Sequence, residues 1–367
     1  MIKKLKEDIE SERSLLSPPG DTIQETIDHI KMTQAELAER MGKPKEKLND
    51  IIKGREPVTT ETAYKLSKVL GIPANFWLNR ESNYRSELFE LKQKEQLLEN
   101  HEWLRSFPVN EMSKLGWMPY SGNLIEKIDN LLDFFGIASP EEWYRIYLTE
   151  KKSVAFRLSL ANTKSPYAIS AWLRKGEIDS ERLDLNDFDK AQFSLQLKKI
   201  RELADGRSNN FIEKIPELCA ESGVAVVYTE NLPKAPVNAA ARRVRSKPLI
   251  QLTDRFKTDD VFWFNFFHEA AHILLHNKKD IFLENLDYND YQEKKEKEAD
   301  RFAEKIILNR SEFNQIANDH PINERKILEY AEKFKLAPGI IVGRLQHKKV
   351  IKWNRFNDLK KKIDISK

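Results

Sequence analysis

The chemistry in this chain is concentrated in His268-Glu269-Ala270-Ala271-His272 and in a second acidic stretch that opens at Glu296. Residues four apart share one face of a helix, so His268 and His272 can direct both imidazoles at one cation. Glu269 lies beside them, placed to hold a water at that cation and not the cation itself. A bare match of this kind also arises by chance, so its surroundings decide its meaning. Residues 261–276 are apolar almost all round, with Phe262, Trp263, Phe264, Phe266, Phe267, Ile273 and Leu274 among them. A helix of that composition belongs at the centre of a domain, and ionisable groups inside it require partners.

A partner follows. In residues 296–303 the face shared by Ala299, Ala303, Ile306 and Ile307 also carries Glu296 and Asp300. Glu298 is expected on the Arg301 and Lys305 side, so Glu296 is preferred to Glu298 as the third ligand. Asp300, one turn on, is set to orient a ligand histidine from outside the ligand shell. His276 continues the His268/His272 stripe. It is either a supporting or substrate-contacting group, or a histidine that merely faces the helix C-terminal dipole.

Positioning these residues takes a small domain. Residues 225–228 and 249–252 are rich in β-branched and aromatic side chains and read as strands, with residues 239–244 as a third. The edge near Arg242-Arg243-Val244 is a candidate for docking an extended peptide by strand addition. Then come the His268 helix, a loop, a second helix over about 292–308 and a helical tail. His268 to His276, residues 296–303 and the strands before them resemble the ImmA/IrrE family of metallo-endopeptidases, over about residues 210–310. The resemblance implies a minimal zincin fold, Zn2+ held by His268, His272 and Glu296, and Glu269 as general base. It also implies cleavage of a cytoplasmic protein, often a transcriptional repressor. Ala271 stands where the family commonly has Gly, and Leu308-Asn309 where it often has Met-Pro; neither touches a ligand.

The amino-terminal part carries a different chemistry. Thr33 followed three residues later by Glu36 is a capping box that starts a helix. Leu37, Ala38 and Met41 give that helix an inward face, Gly42 makes a tight turn, and Pro44 suits the first turn of the next helix. Leu48, Ile51 and Ile52 anchor this second helix and leave Lys45, Glu46 and Asn49 outward, in helix-turn-helix geometry able to enter a major groove. Residues 18–90 resemble the HigA-type antitoxins of the XRE class, through Pro18-Pro19-Gly20, Thr60-Glu61-Thr62-Ala63 and residues 70–79. That resemblance implies operator DNA binding as a homodimer, and a cognate toxin as a possible partner. Lys43 and Pro44 stand where the family has an apolar residue and Ser, which removes a phosphate contact. Lys43, Lys45, Lys47, Lys53 and Arg55 are expected to replace it with charge. Trp77 and Phe76 are assigned to the core, and a longer amphipathic helix is expected from about Tyr84 into the Trp103-Leu104 region.

Composition agrees with several domains. At 367 residues the chain exceeds the roughly 250 that one core usually serves. A net charge of +4 rules out a bulk basic field, so any nucleic-acid contact is local. One cysteine, Cys219, excludes an internal disulfide and suits a reducing compartment. No apolar run reaches the roughly 20 residues of a spanning helix, and the acidic turn after Lys6 is unlike a signal peptide. A cytoplasmic protein without a membrane partner is expected. The fold class is predominantly α and α+β overall. Four regions are expected: a helix-turn-helix bundle (1–100), a helical middle (101–205), the zincin (206–310) and a helical tail (311–367).

Overall fold

The computed structural model describes residues 2–149, 165–207, 210–253, 255, 258–276, 282–283 and 290–365. Its backbone divides into two units, Met1–Glu102 with Asn123–Asp129, and Trp103–Gly122 with Asn130–Lys367. The expected predominantly helical, α+β class is what the chain adopts.

The first unit contains α1 (Ile2–Ser14), α2 (Pro19–His29), α3 (Gln34–Met41), α4 (Lys45–Ile52), α5 (Thr60–Leu70) and α6 (Ala74–Glu99). Ile23, Ile27, Leu37, Met41, Leu48, Ile51, Leu66 and Trp77 make its core. Thr33 accepts from Glu36 N at 3.1 Å and so caps α3. The reciprocal half of the expected box is replaced by an Arg40–Glu36 pair at 2.7 Å. Gly42 ends α3 at φ 61°, a left-handed turn that glycine enters without steric cost. Pro44 sits at the cap of α4 and not inside its first turn. Gly20 marks a closer approach: a Cβ there would lie 1.8 Å from the Ile52 carbonyl oxygen, so α2 rests directly on the end of α4. Two expectations shift. The long helix starts ten residues before Tyr84, because Pro73 fixes the chain at its entrance, and it stops at Glu99, with α7 (His101–Arg105) separate. Trp77 is fully buried, but Phe76 is 41% exposed and meets Trp77 only edge-on at 5.2 Å.

After α8 (Val109–Lys114), α9 (Leu124–Phe135), α10 (Pro140–Tyr144) and a π-helical turn at Arg145–Thr149 come α11 (Pro166–Ser180), α12 (Lys190–Glu202) and α13 (Phe211–Ala220). The sheet comprises β1 (Ala225–Thr229), β2 (Ala239–Val244), β3 (Lys247–Thr253) and the two-residue β4 (Phe282–Leu283), in the order β1-β3-β2-β4. β1 runs parallel to β3, β2 antiparallel to β3, and β4 antiparallel to β2 at Ala240 and Ala241. β2 is therefore covered along part of its length and is not the simple edge the sequence suggested.

Between β3 and β4 lies α14 (Asp259–Leu275), and α15 (Asp290–Ile307), α16 (Arg310–Ala317), α17 (Glu324–Phe334) and α18 (Pro338–His347) follow. One core runs from Phe193 in α12 to Ile365 and includes Ala239, Ala241, Ile250, Phe262, Phe266, Phe267 and Ile341. The tail thus shares the core of the sheet and α14. On the opposite face of the sheet, Gln251 Nε2 donates to Trp172 O at 2.7 Å and Arg242 Nη2 to Leu173 O at 2.6 Å, which fastens α11. The first turn of α14 is closed by the tail: Asp259 N donates to Lys361 O at 2.9 Å.

Candidate metal centre

α14 is apolar on every side and is covered by the sheet, α15 and α18. His268, Glu269 and His272 are 6%, 1% and 3% exposed, so three ionisable groups sit in a core that would reject them singly. α15 supplies what they lack. His268 Nε2 lies 2.9 Å from Glu296 Oε2 and 3.0 Å from His272 Nε2, and His272 Nε2 lies 3.6 Å from Glu296 Oε2. One ligand atom from each of the three falls within 4.8 Å of the others. The donor set, two imidazoles and a carboxylate, is that of a zinc site. Glu296 Oε1 is buried with no hydrogen-bond partner among the described residues, a vacant acceptor on the same carboxylate. The residues present therefore fit a divalent cation.

The outer contacts form a chain. His268 Nδ1 meets Asp300 Oδ1 at 3.0 Å, which turns Nε2 towards Glu296. His272 Nδ1 meets His276 Nδ1 at 2.9 Å, and His276 Nε2 meets Glu298 Oε2 at 3.3 Å. Asp300 thus occupies the position read from the sequence. His276, at the C-terminal cap of α14, faces His272 and not solvent. Glu298 was expected to face Arg301 and Lys305. Its side chain reaches round α15 to His276 instead, a contact that periodicity of the backbone alone does not contain.

The charges explain why these groups hold together. Burial opposes a charge on His268, but hydrogen bonds to Asp300 and Glu296 overcome it and raise its pKa to about 10. Burial likewise opposes charge on Glu296, and hydrogen bonds with His268 and His272 overcome it, lowering its pKa to about 2. His272 is pushed down to about 4 by burial and stays neutral.

The helix-turn-helix surface is of another kind. Lys45, Glu46, Lys47, Lys53 and Arg55 are exposed, while Lys43 and Asn49 are half-buried. Lys47 pairs with Glu56, and Arg55 with Asp50 at 2.7 Å. Two of the five cations expected at phosphates are therefore already matched within the module, by carboxylates that the count of basic residues passed over. Arg242, placed by the sequence at a peptide-docking edge, is 2% exposed and turned inward to Leu173 O.

A buried His/His/Glu set on two packed helices under a small mixed sheet, with a glutamate beside the first histidine, defines a domain of the metallopeptidase type. Comparison with known families agrees: residues 219–346 match the IrrE N-terminal-like domain of peptidase family M78, and residues 23–77 match the helix-turn-helix family. The chain thus carries an XRE-type helix-turn-helix domain followed by an IrrE/ImmA-like peptidase-family domain. It is also similar to YddM of Escherichia coli K12, described as an uncharacterized HTH-type transcriptional regulator, with 36% identity over 61 residues. That similarity covers 17% of this chain and 65% of YddM. Among the described residues no helix is long and apolar enough to cross a membrane.

Proposed function

We propose that this chain is a DNA-binding regulator of antitoxin or repressor type whose second unit is a zinc-dependent endopeptidase acting on a protein, either another regulator or a toxin-system partner. The observation that carries the reading is the convergence of His268, His272 and Glu296 beside a buried Glu269. These three residues would hold the zinc, with Asp300 and His276 orienting the two imidazoles from behind. When bound, zinc supplies Lewis acidity towards the scissile carbonyl and the attacking water. Glu269 takes the proton of that water on its carboxylate and returns it to the leaving amine. Burial of Glu269 in α14 keeps bulk solvent from competing for that proton.

In the first unit, α4 is the helix that enters the major groove, with Lys43, Lys45, Lys53 and Asn49 towards the DNA and Glu46 beside them. Lys47 and Arg55 reach phosphates only by leaving Glu56 and Asp50. Operator binding as a homodimer of the HigA type follows from the same reading.

Metal analysis paired with a Glu269→Gln variant tests the catalytic half. We expect one zinc per chain in both proteins and hydrolysis of a candidate regulator slowed by roughly 10²–10⁴-fold in the variant. Absence of zinc from the wild type refutes the site. Equal cleavage by both proteins refutes Glu269 as base. Zinc without cleavage of any protein by the wild type favours a unit that senses or binds partners.

A further inference from the structure

A cavity lies in the same unit as the candidate metal centre, between the amino-terminal half of α14, the carboxy-terminal half of α15, and α18. Its volume is about 240 Å3. Its walls are aromatic: Phe264 and His347, with ring centroids 6.3 Å apart, and Trp353. Trp353 is 63% exposed, yet its backbone is fixed, because Trp353 O accepts from Asn357 Nδ2 at 2.8 Å and from Gln346 Nε2 at 3.2 Å. An exposed indole on a fixed backbone at the mouth of a cavity is a surface on which a flat ring can stack.

The polar groups at this cavity have a pattern. Its formal charges are already matched: Asp260 pairs with Lys360 at 2.7 Å, and Glu304 with Arg344 and with Lys348 at 2.7 Å. Beside them stand three single atoms, all buried and without a hydrogen-bond partner among the described residues: Asn265 Nδ2 and Arg344 Nε as donors, and Asp260 Oδ1 as acceptor. Asn265 is 3% exposed, and each such atom in a folded protein calls for an explanation. Gly343 makes room for the paired oxygen of the same carboxylate, since a Cβ there would stand 2.3 Å from Asp260 Oδ2. None of these groups belongs to the metal centre.

We infer that this cavity binds an uncharged, planar, bicyclic heteroaromatic molecule of the purine-base type, which offers ring acceptors to Asn265 and Arg344 and an N–H donor to Asp260. Matched charges disfavour an ionic ligand. The volume is below the roughly 300–1,000 Å3 of sites for drug-sized ligands, which selects a small ring system. Three unpartnered atoms of both kinds suit an occupant with donors and acceptors on its edge.

Isothermal titration of the full chain with adenine, with indole as comparison, tests this. Indole has the same two-ring shape and an N–H donor but no ring acceptor. Adenine is expected to bind saturably at one site per chain and indole at least tenfold more weakly. Asn265→Leu should weaken adenine at least tenfold and leave indole unchanged. Trp353→Ala, at an exposed side chain whose loss spares the core, should weaken both. No saturable binding of adenine overturns the proposal, as does adenine binding that neither variant changes.

Discussion

The candidate metal centre and the helix-turn-helix surface place their ionisable groups in opposite environments. Around His268 and His272 the side chains are linked in a chain whose histidines are buried and whose ends, Asp300 at one side and Glu298 at the other, are part-exposed. At α4 the cations are exposed, and two of them pair with carboxylates five and nine residues away in sequence. Removing one member of a buried chain leaves its neighbour unpaired in low dielectric, which is costly. Removing one member of an exposed pair hands its partner to water at little cost. The comparison separates residues that position from residues that only contact.

The largest expected effect lies in the packing of the first unit. Gly20→Ala puts a methyl group 1.8 Å from the Ile52 carbonyl oxygen and should destabilise the α2–α4 contact by roughly 3 kcal/mol or more. Hydrogen exchange of the α2 and α4 amides would show it. Protection equal to wild type would mean that α2 can shift away freely.

Next comes the buried carboxyl of Asp259, in the first turn of α14 but outside the chain of partners around its histidines. Burial, then the neighbouring Asp260 charge, raises its pKa from 3.8 to about 6. A carboxyl with a raised folded-state pKa favours the folded protein most below pH 3.8 and loses that contribution as pH rises through 6. Wild type should therefore gain on the order of 2–3 kcal/mol from this group between pH 7 and pH 4, relative to Asp259→Asn. Urea unfolding of both proteins at several pH values measures the difference, and parallel curves would reject it.

Smaller again, His276→Ala removes the partner of His272 Nδ1 and should weaken zinc binding roughly 10–100-fold in chelator competition. Unchanged affinity would reduce His276 to a helix cap. The smallest effect belongs to the exposed surface. Lys45→Ala should leave stability within roughly 0.5 kcal/mol and lower the salt dependence of operator binding by about one phosphate contact. Arg55→Ala should change it less, because Asp50 already holds Arg55. If Arg55 proves the larger of the two, the pairing with Asp50 yields on DNA.

The same contrast governs what could be read from the sequence. His268, His272, Glu296 and Asp300 were legible because helical period and burial constrain them together. Gly42 and the cap at Thr33 were legible because turns and caps are local. Glu298 was misplaced because a long flexible side chain is not bound to the face of its Cα. Phe76 was misplaced because Ala74, Trp77 and Leu78 form the inward face of this turn and leave Phe76 on the outer side. Arg242 looked like an edge residue because strand order, and with it α11 on the opposite face, is set by contacts between residues 69 or more apart. The cavity beside Trp353 had no signal at all, since its unpartnered atoms come from helices far apart in the chain.

The bond from Asp259 to Lys361 has a consequence for how the protein is made. Lys361 closes the first turn of the metal helix from 102 residues further along, and its Nζ also reaches Gly206 O at 2.7 Å. A ribosome therefore delivers both histidines and all three acidic partners long before it delivers the segment that completes their helix. The segment that closes the first turn of the helix carrying His268 and His272 is thus the last to be made, and the helix is framed from both directions along the chain.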